Sequence, residues 1–454
     1  MSPRMLLISS ITIFLALWIT ASAWAASSFS PSPLIQEIVD AVSVDSFVIN
    51  VDHLFAFSTR NTVSDTLSDS TGVGAARRWI FDRFSQIARS NGGALIPEYF
   101  TFEETVCETF GLHRNVLATL PGSIHPERYF IVGAHFDSRG REECDPVEFA
   151  PGANDDGSGT AALLELARVM SPYTFENSVI FMAFTGEEQG LHGSEAYAAY
   201  ADSLDLDIRG MLNLDTISNA VNAMGRVDST SYRLYSMGPT GSPHRQLTRL
   251  SRWIGAQYEP ELEGLVQNAE DRFGRGGDHQ PFRRHGFTAI RFIETNENTQ
   301  EQHNDQDFPE NMDPSYGIKV VRTVAAVLAN LALAPEKPLP PEVTLNLDGF
   351  PRVIWPRINV ETDFGGYLLS VRQMPETGPF PDETPFKRVI DVGDVNEFSL
   401  EEVIEKVEMV PRYAVSVAAY DTTGAASLFS DEVTSPFEVV PVDSLRVNSR
   451  FESL

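Results

Sequence analysis

The sequence contains little cysteine and little positive charge. Of its 454 residues only 2 are Cys, and 34 Lys and Arg stand against 63 Asp and Glu, which gives a formal net charge of −29 at pH 7. This balance argues against nucleic acid and anionic membranes as partners, although it also serves solubility. Cys107 and Cys144 could pair with each other or remain inert buried thiols.

Long hydrophobic runs are also scarce. Arg4 is followed by the apolar run LLISSITIFLALWIT and then by Ala23-Trp24-Ala25, a small-x-small cleavage site. The alternative to a secretory signal is a membrane anchor, but the run is short for a span and no charged stop-transfer segment follows it. We therefore expect residues 1–25 to be a cleaved signal peptide, the mature protein to be secreted or extracytoplasmic, and no later run to span a membrane.

The remaining chain divides into two units of different character. From Tyr129 onward, apolar strand-like runs alternate with helical patterns, which indicates a largely parallel sheet with helices on both faces. This unit is predicted to cover residues 26–333. Residues 334–342, APEKPLPPE, form a proline-rich linker. Residues 343–440 contain short alternating strands typical of a small all-β sandwich, and residues 441–454 are predicted to be a polar tail.

Six side chains of metal-binding type are spread through the first unit, and several directly follow predicted strands. RYFIVGAHFD closes on His135, SVIFMAFTGEE on Glu187 and Glu188, and DIRGMLNLD on Asp215. In open α/β sheets, ligands bind outside the carboxyl ends of the strands, so these side chains should converge. Together with Asp155 and His303 they suit zinc or a similar divalent ion.

Each of these residues also has an ordinary structural explanation. A lone His is more often a hydrogen-bonded structural residue or a surface residue, and an acidic pair at a loop is often only solvated. Asp155 and Asp156 precede a helix, where Asp is a common cap, but two adjacent Asp do not both cap. Glu187 and Glu188 diverge as neighbours, so one can bind a metal while the other accepts a proton from a bound water. The combination therefore indicates metal-assisted hydrolysis.

The order and spacing of these segments resemble the co-catalytic zinc peptidases of family M28 over about residues 40–332. The segments that match are His135-Phe-Asp137, Asn154-Asp155-Asp156-Gly157-Ser158-Gly159, Gly186-Glu187-Glu188-Gln189-Gly190-Leu191-x-Gly193-Ser194, Asn213-Leu214-Asp215 and Gly277-Asp278-His279-x-Pro281-Phe282. The resemblance implies a three-layer α/β/α sandwich with a mostly parallel mixed sheet, followed by the small all-β sandwich domain.

The resemblance also implies a role for each site residue. Two zinc ions would bind per chain, one to His135 and Asp215 and the other to Glu188 and His303, with Asp155 bridging both. Glu187 would be the general base, Asp137 would orient His135, and Asp278 and Asp307 would support the site.

Two positions depart from the family pattern, and the second unit carries a further resemblance. Gly277 stands where many members have Ser, and Asn304 stands where Thr or Ser is frequent, which puts the substrate preference in doubt rather than catalysis. Residues 60–128 leave no room for an inserted protease-associated domain. RYAVSVAAYDTTGAASLFSDEV resembles the end of a fibronectin type III domain, although any β-sandwich accessory domain would also fit.

The sequence is best interpreted as a secreted zinc aminopeptidase that acts on peptides with a free N-terminus. The alternatives are a glutaminyl cyclase of the same fold, which uses one zinc and hydrolyses nothing, and an inactive α/β domain whose β-sandwich is a binding module. Intact Glu187 argues against the inactive form. We predict a disulfide between Cys107 and Cys144, and the sequence identifies no partner for the β-sandwich.

Overall fold

The computed structural model describes residues 30–345, 350–357, 361–374, 385–402, 412–434 and 438–439. The predicted signal peptide at residues 1–25 and the predicted tail at residues 441–454 lie outside the described residues.

An eight-stranded mixed sheet lies at the centre of the first unit. Its strands are β1 (Ile96–Val106), β2 (Thr109–Leu120), β3 (His125–His135), β4 (Asn177–Phe184), β5 (Asp207–Leu214), β6 (Ser231–Ser236), β7 (Glu263–Asn268) and β8 (Ala289–Glu294). The strand order is β1-β2-β4-β3-β5-β8-β6-β7. Neighbours among β4, β3, β5 and β8 are parallel, as are β6 and β7, whereas the β1–β2, β2–β4 and β6–β8 pairs are antiparallel. The predicted mostly parallel mixed sheet is confirmed.

The central strands are apolar throughout because both of their faces are covered. Successive side chains of a strand point to opposite faces. On β3, Phe130 and Val132 pack into one buried cluster while Ile131 packs into another. On β4, Phe181 packs into the first of these clusters and Met182 into the second. The continuous apolar runs seen in the sequence are thus strands buried between two layers.

Eight α-helices form the two outer layers. They are α1 (Pro33–Asp40), α2 (Val44–Phe55), α3 (Gly72–Ser90), α4 (Gly157–Met170), α5 (His192–Ser203), α6 (Pro243–Tyr258), α7 (His279–Arg284) and α8 (Pro314–Leu333). Apolar side chains of α5 and α7 pack on one face of the sheet, and those of the other six helices belong to the cluster on the opposite face. The first unit of the described chain is therefore the expected three-layer α/β/α sandwich.

Helix α8 corrects one expectation from the sequence. In the described part of the chain it is long and apolar enough to cross a membrane by length and composition, so the expectation that no run after the signal would qualify is wrong by that criterion. Its most apolar window is 89% buried inside the fold. A helix that is hydrophobic on all sides is expected in the core of a large protein as well as in a membrane, and α8 is a core helix here.

In its described residues, the second unit is a sandwich of two four-stranded sheets. Its strands are β9 (Glu342–Leu345), β10 (Pro351–Ile354), β11 (Phe364–Met374), β12 (Arg388–Gly393), β13 (Glu397–Ser399), β14 (Arg412–Asp421), β15 (Val433–Thr434) and β16 (Glu438–Val439). The sheet orders are β13-β10-β9-β16 and β12-β11-β14-β15, and residues of both sheets share one apolar cluster. An all-β second unit was predicted; its relation to fibronectin type III domains stays a prediction.

The two units share a continuous packed interface. Strand β14 places Val415 and Val417 in the core of the sandwich, whereas Ala418 and Tyr420 join the core of the first unit. The side chain of Asn330 in α8 exchanges hydrogen bonds of 2.7 and 2.8 Å with the backbone of Ala426. The segment between the units is also anchored, because Glu336 accepts hydrogen bonds from two arginines of the first unit.

Candidate metal centre

Three adjacent parallel strands bring most of the predicted site residues to one edge of the sheet. His135 is the last residue of β3, Glu187 and Glu188 follow the end of β4, and Asp215 follows β5 directly. The carboxyl ends of parallel strands meet at the same edge, where α/β folds bind ligands. The turn before α4 contributes Asp155 to this edge, and the loop after β8 contributes His303.

The two adjacent aspartates before α4 have separate tasks. Asp156 is the N-cap of α4, and its Oδ1 accepts the N–H of Gly159 at 2.8 Å. The same carboxylate accepts the N–H of His135 at 3.2 Å and of Thr216 at 3.1 Å, which connects the ends of β3 and β5. Because Asp156 satisfies these backbone groups, the side chain of Asp155 is left to face the site.

Asp155 lies between the two histidines. Its Oδ1 is 3.4 Å from Nε2 of His135, and its Oδ2 is 3.1 Å from Nε2 of His303. Around His135 Nε2 are also Asp215 Oδ1 at 3.8 Å and Glu187 Oε2 at 4.0 Å. Beside His303 Nε2 is Glu188 Oε2 at 3.2 Å. The six side chains thus form two neighbouring groups with Asp155 between them.

These two groups have the composition and spacing of cation sites. His135, Glu187 and Asp215 offer ligand atoms within 4.8 Å of one another, and so do Asp155, Glu188 and His303. The Nε2 atom of His135 is buried and has no hydrogen-bond partner among the described residues, although buried polar atoms are nearly always paired. Imidazole and carboxylate are the ligands of catalytic zinc sites, so the residues fit the predicted cofactor.

The electrostatics of the site also favour a bound cation. Burial raises the pKa of Glu187 well above its ordinary value; Asp215, Asp278 and Asp137 add to this, and His135 opposes it. Burial, Asp155 and Glu187 likewise raise the pKa of Glu188. Negative charges that oppose one another in a buried site are relieved by a metal ion.

Asp137 supports the site in a different way from the one that the sequence suggested. Nδ1 of His135 lies 3.1 Å from the backbone carbonyl of Asp137, whereas the carboxylate is 3.7 Å away. The carbonyl therefore orients the imidazole. The Asp137 carboxylate instead accepts the backbone N–H groups of Glu187 and Glu188, at 3.2 and 3.1 Å, together with the hydroxyl of Thr62 at 3.3 Å.

Asp307 and Asp278 are both buried next to these groups. The carboxylate of Asp307 accepts the backbone N–H groups of Asn154 and Asp155, each at 2.9 Å, and so fixes the turn that carries Asp155. Burial raises the pKa of Asp307 to about 7 and that of Asp278 to about 7. Asp278 lies directly before α7, in the charge environment of His135 and Asp137.

Sequence reasoning missed three arginines at the site. Arg291 of β8 donates from Nη2 to Asp215 Oδ2 at 2.9 Å, which leaves Oδ1 of Asp215 facing His135. Arg139 donates to Glu188 Oε2 at 3.1 Å and lies 2.7 Å from Nδ1 of His303. Arg275 Nη1 lies 3.3 Å from His303 Nε2. An arginine within the apolar run TAIRFI was the one signal for Arg291.

Both groups open into one cavity of about 310 Å³. Beyond the carboxylates and His303, its wall includes Gly190 and Leu191 together with the arginines described above. A volume of this size is at the lower end of the range for ligand pockets, so the cavity suits a short segment of a substrate.

The sequence model of peptidase family M28 matches residues 115–328. A probable zinc metalloprotease of Pyrenophora tritici-repentis is 31% identical over 407 residues, which cover 82% of this chain and 91% of the relative. The family match and this relative, together with the two His-carboxylate groups, identify a zinc metallopeptidase. The chain belongs to peptidase family M28.

Two solved structures share the fold. The LapA aminopeptidase of Legionella pneumophila matches with a TM-score of 0.55 at 19% identity, over 66% of this chain and 75% of that chain. The glutaminyl cyclase of Macrostomum lignano matches with a TM-score of 0.52 at 17% identity, over 67% of this chain and 95% of that chain. At such identities the likeness establishes the fold and leaves the reaction open.

Proposed function

We propose that this protein is a secreted zinc aminopeptidase that hydrolyses the N-terminal peptide bond of peptides. The observation that carries the proposal is the position of Asp155 between two histidines, with Oδ1 3.4 Å from His135 and Oδ2 3.1 Å from His303. A carboxylate with each oxygen directed at a different imidazole is suited to bridge two metal ions. Asp215 would complete the first zinc site and Glu188 the second.

Glu187 is the residue to which we assign general base catalysis. Zinc ions held by His135, Asp155, Glu188, Asp215 and His303 would supply Lewis acidity towards the attacking water and the scissile carbonyl. Glu187 accepts the proton of the attacking water and then donates it to the leaving amine. Asp137 supports this position by accepting the backbone N–H of Glu187. Glu187 Oε2 lies 4.0 Å from His135 Nε2, farther than the nearest oxygens of Asp155 and Asp215, which supports a role other than metal ligand.

The proposal includes a requirement for a free amino group next to the scissile bond, supported by the carboxylates of the pocket. Glu187 and its neighbouring carboxylates can bind a substrate ammonium where a metal ion does not neutralise them, and Glu187 is the nearest candidate by its position in the motif. An endopeptidase would need an open groove that passes the metals on both sides. The described cavity of about 310 Å³ supports an enzyme that takes one chain end.

The proposal of secretion rests on the residues of the N-terminal segment and on one covalent feature. Cys107 and Cys144 form a disulfide, as predicted, with their Cα atoms 5.6 Å apart. Disulfides persist in oxidising compartments and are rare in the cytosol. The bond is therefore consistent with an exported protein.

The second candidate function is glutaminyl cyclisation, favoured by the fold shared with the Macrostomum lignano enzyme. A cyclase also needs a free amino terminus, but it requires Gln or Glu there and releases ammonia or water. The segment GEEQGLHGS, which carries Glu187 and Glu188, instead resembles the peptidases of the family. For an inactive binding module, the intact Glu187 would have no use.

Mass spectrometry of three peptides separates these functions. The zinc-loaded mature protein would be incubated with peptides that begin with Leu, with Gln, and with N-acetylated Leu. We expect stepwise loss of single residues from the first peptide and no cleavage of the third. Internal cuts in the acetylated peptide would contradict the aminopeptidase assignment, and loss of ammonia alone from the Gln peptide would establish the cyclase.

A further inference from the structure

A second cavity, lined by two arginines, lies outside the catalytic pocket, between the start of α3 and strand β2. Its volume is about 250 Å³, and the residues that line it differ from those of the catalytic pocket. Arg77 from α3 and Arg114 and His113 from β2 project from its walls, and Thr62, Ser64 and other hydroxyl residues complete it. The described lining contains no Asp or Glu, in a protein of net charge −29.

The guanidinium groups of the two arginines influence each other electrostatically, and neither pairs with a described carboxylate. No described carboxylate oxygen lies within 4.0 Å of either guanidinium, whereas most other arginines of the described chain have such a partner. Burial and the positive charge of Arg114 lower the pKa of Arg77. Arg114 is fixed over the ring of Tyr99, with 5.5 Å from its guanidinium carbon to the ring centroid.

His113 also lines the cavity. Its side chain belongs to a residue only 9% exposed, and its Nε2 has no hydrogen-bond partner among the described residues. That nitrogen faces the Gly111 wall of the cavity, 3.9 Å from where a Cβ on Gly111 would stand. Because His113 and Arg114 are neighbours on β2, their side chains leave opposite faces of the strand, His113 towards Phe102 and Arg114 towards Tyr99. The two arginines are therefore the groups of this cavity that suit an anion.

We propose that this cavity binds a small oxyanion, of the sulfate, phosphate or carboxylate type. Arg77 and Arg114 would neutralise its charge through charge-assisted hydrogen bonds, the contacts for which the planar guanidinium is best suited. The cavity is smaller than the roughly 300–1,000 Å³ of drug-sized ligand sites, in agreement with a small anion.

The cavity also borders the segments that position the catalytic residues. Thr62, which lines it, donates its hydroxyl to the Asp137 carboxylate at 3.3 Å. Thr185, which also lines it, directly precedes Gly186 and Glu187 in the chain. The proposed anion would therefore bind behind the catalytic turn without contacting the metal ligands, and it does not depend on the proposed peptidase activity.

Calorimetric titration of the zinc-loaded full chain with sulfate tests this site. Arg77→Gln and Arg114→Gln remove one cation each from the cavity, and Arg89→Gln removes the same charge from the exposed end of the same helix α3. We expect saturable binding by wild type and Arg89→Gln, and binding weakened by about 10-fold or more in each cavity variant, since hydrogen bonds to charged groups are the stronger class. Titration with acetate in parallel distinguishes a tetrahedral anion from a carboxylate.

Two outcomes of the titrations would overturn the proposal. The first is that neither sulfate nor acetate binds wild type saturably. The second is that Arg77→Gln and Arg114→Gln both bind as well as Arg89→Gln. Crystals soaked in selenate show the position of the bound anion directly, because selenium scatters anomalously. We expect an anomalous peak between Arg77 and Arg114, and its absence at full selenate concentration would overturn the proposal, since bound zinc gives its own anomalous peak at the metal site.

Discussion

The carboxylate of Asp137 accepts a hydrogen bond from the backbone N–H of Glu187, with 3.2 Å between Oδ1 and the nitrogen. Its other oxygen accepts the N–H of Glu188 at 3.1 Å. A single side chain at the end of one strand thus fixes the turn after the next strand, from which the proposed base and a proposed zinc ligand project. The position of Glu187 depends on Asp137 as well as on its own backbone.

Asp137→Asn should therefore impair catalysis without unfolding the protein. The amide retains one acceptor oxygen, but its NH₂ group would face a backbone N–H, so one of the two hydrogen bonds is lost. Residues that support metal ligands typically change activity or metal affinity by about 10–100-fold when mutated. Measurement of kcat and zinc affinity checks this, with Asp305→Asn as the control at an exposed loop position. Equal kcat and zinc affinity in both variants would contradict it.

The disulfide between Cys107 and Cys144 should stabilise both the fold and the pocket. Cys107 lies in the two-residue turn between β1 and β2, and Cys144 lies in the loop that carries Arg139 and Glu143 to the cavity. The bond spans 37 residues, for which the chain-entropy estimate is about 3–4 kcal/mol.

Replacing Cys107 and Cys144 together by Ser should lower the free energy of unfolding by about that amount and raise KM more than it lowers kcat. Urea unfolding and steady-state kinetics measure the two effects. An unchanged free energy of unfolding would show that the packing of the loop alone determines its position.

Glu176 should make the stability of the protein depend on pH at the junction of the two units. Burial, with Asp363, Glu361 and Asp421 of the second unit, raises its pKa to about 8. The folded state therefore retains the Glu176 proton between pH 4.5 and 8, where the unfolded state has lost it. More protons bound in the folded state mean that the free energy of unfolding falls as pH rises through this window.

Glu176→Gln keeps the uncharged form at every pH, so its stability relative to wild type should increase from pH 5 to pH 8. We expect a relative gain on the order of 1–2 kcal/mol at pH 8, measured by urea unfolding of both proteins across the window. Glu103→Gln at an exposed position of β1 is the control and should show no such trend. A constant difference between Glu176→Gln and wild type would contradict the prediction.

Apolar patterns made the centre of the fold predictable. The runs YFIVGAHF and SVIFMAF became β3 and β4 because both faces of these strands are covered, and their ends fixed the place of His135 and of the glutamates. Helix α6 and strands β6 and β7 were missed, because their patterns are interrupted by polar residues. In α6, Arg249 is buried in the structure, where it donates hydrogen bonds to Thr240 and Gln246 and lies 3.7 Å from Glu432 of the second unit. A partner so distant in the chain leaves no local pattern.

The site was predictable in its composition and less so in its internal contacts. Spacing after strands and the family resemblance brought together the candidate ligands. The resemblance selected Asp155 as the bridging ligand, but the residues alone left open which of Asp155 and Asp156 caps α4, since both have the same chemistry in the sequence. Arg139 was missed because it stands in an ordinary loop segment, and its proximity to Glu188 and His303 arises only from folding.

Turnover and zinc content of Glu187→Gln test the central claim most directly, which is that Glu187 serves as the base beside a zinc pair. The amide cannot accept the proton of water, so we expect turnover to fall on the order of 10²–10⁴-fold. The amount of bound zinc should stay near that of wild type. We expect about two ions per chain, because the candidate ligands outnumber those of one tetrahedral site. Glu310→Gln, at an exposed loop position, should leave both unchanged. Hydrolysis by zinc-loaded Glu187→Gln at the wild-type rate would contradict the account.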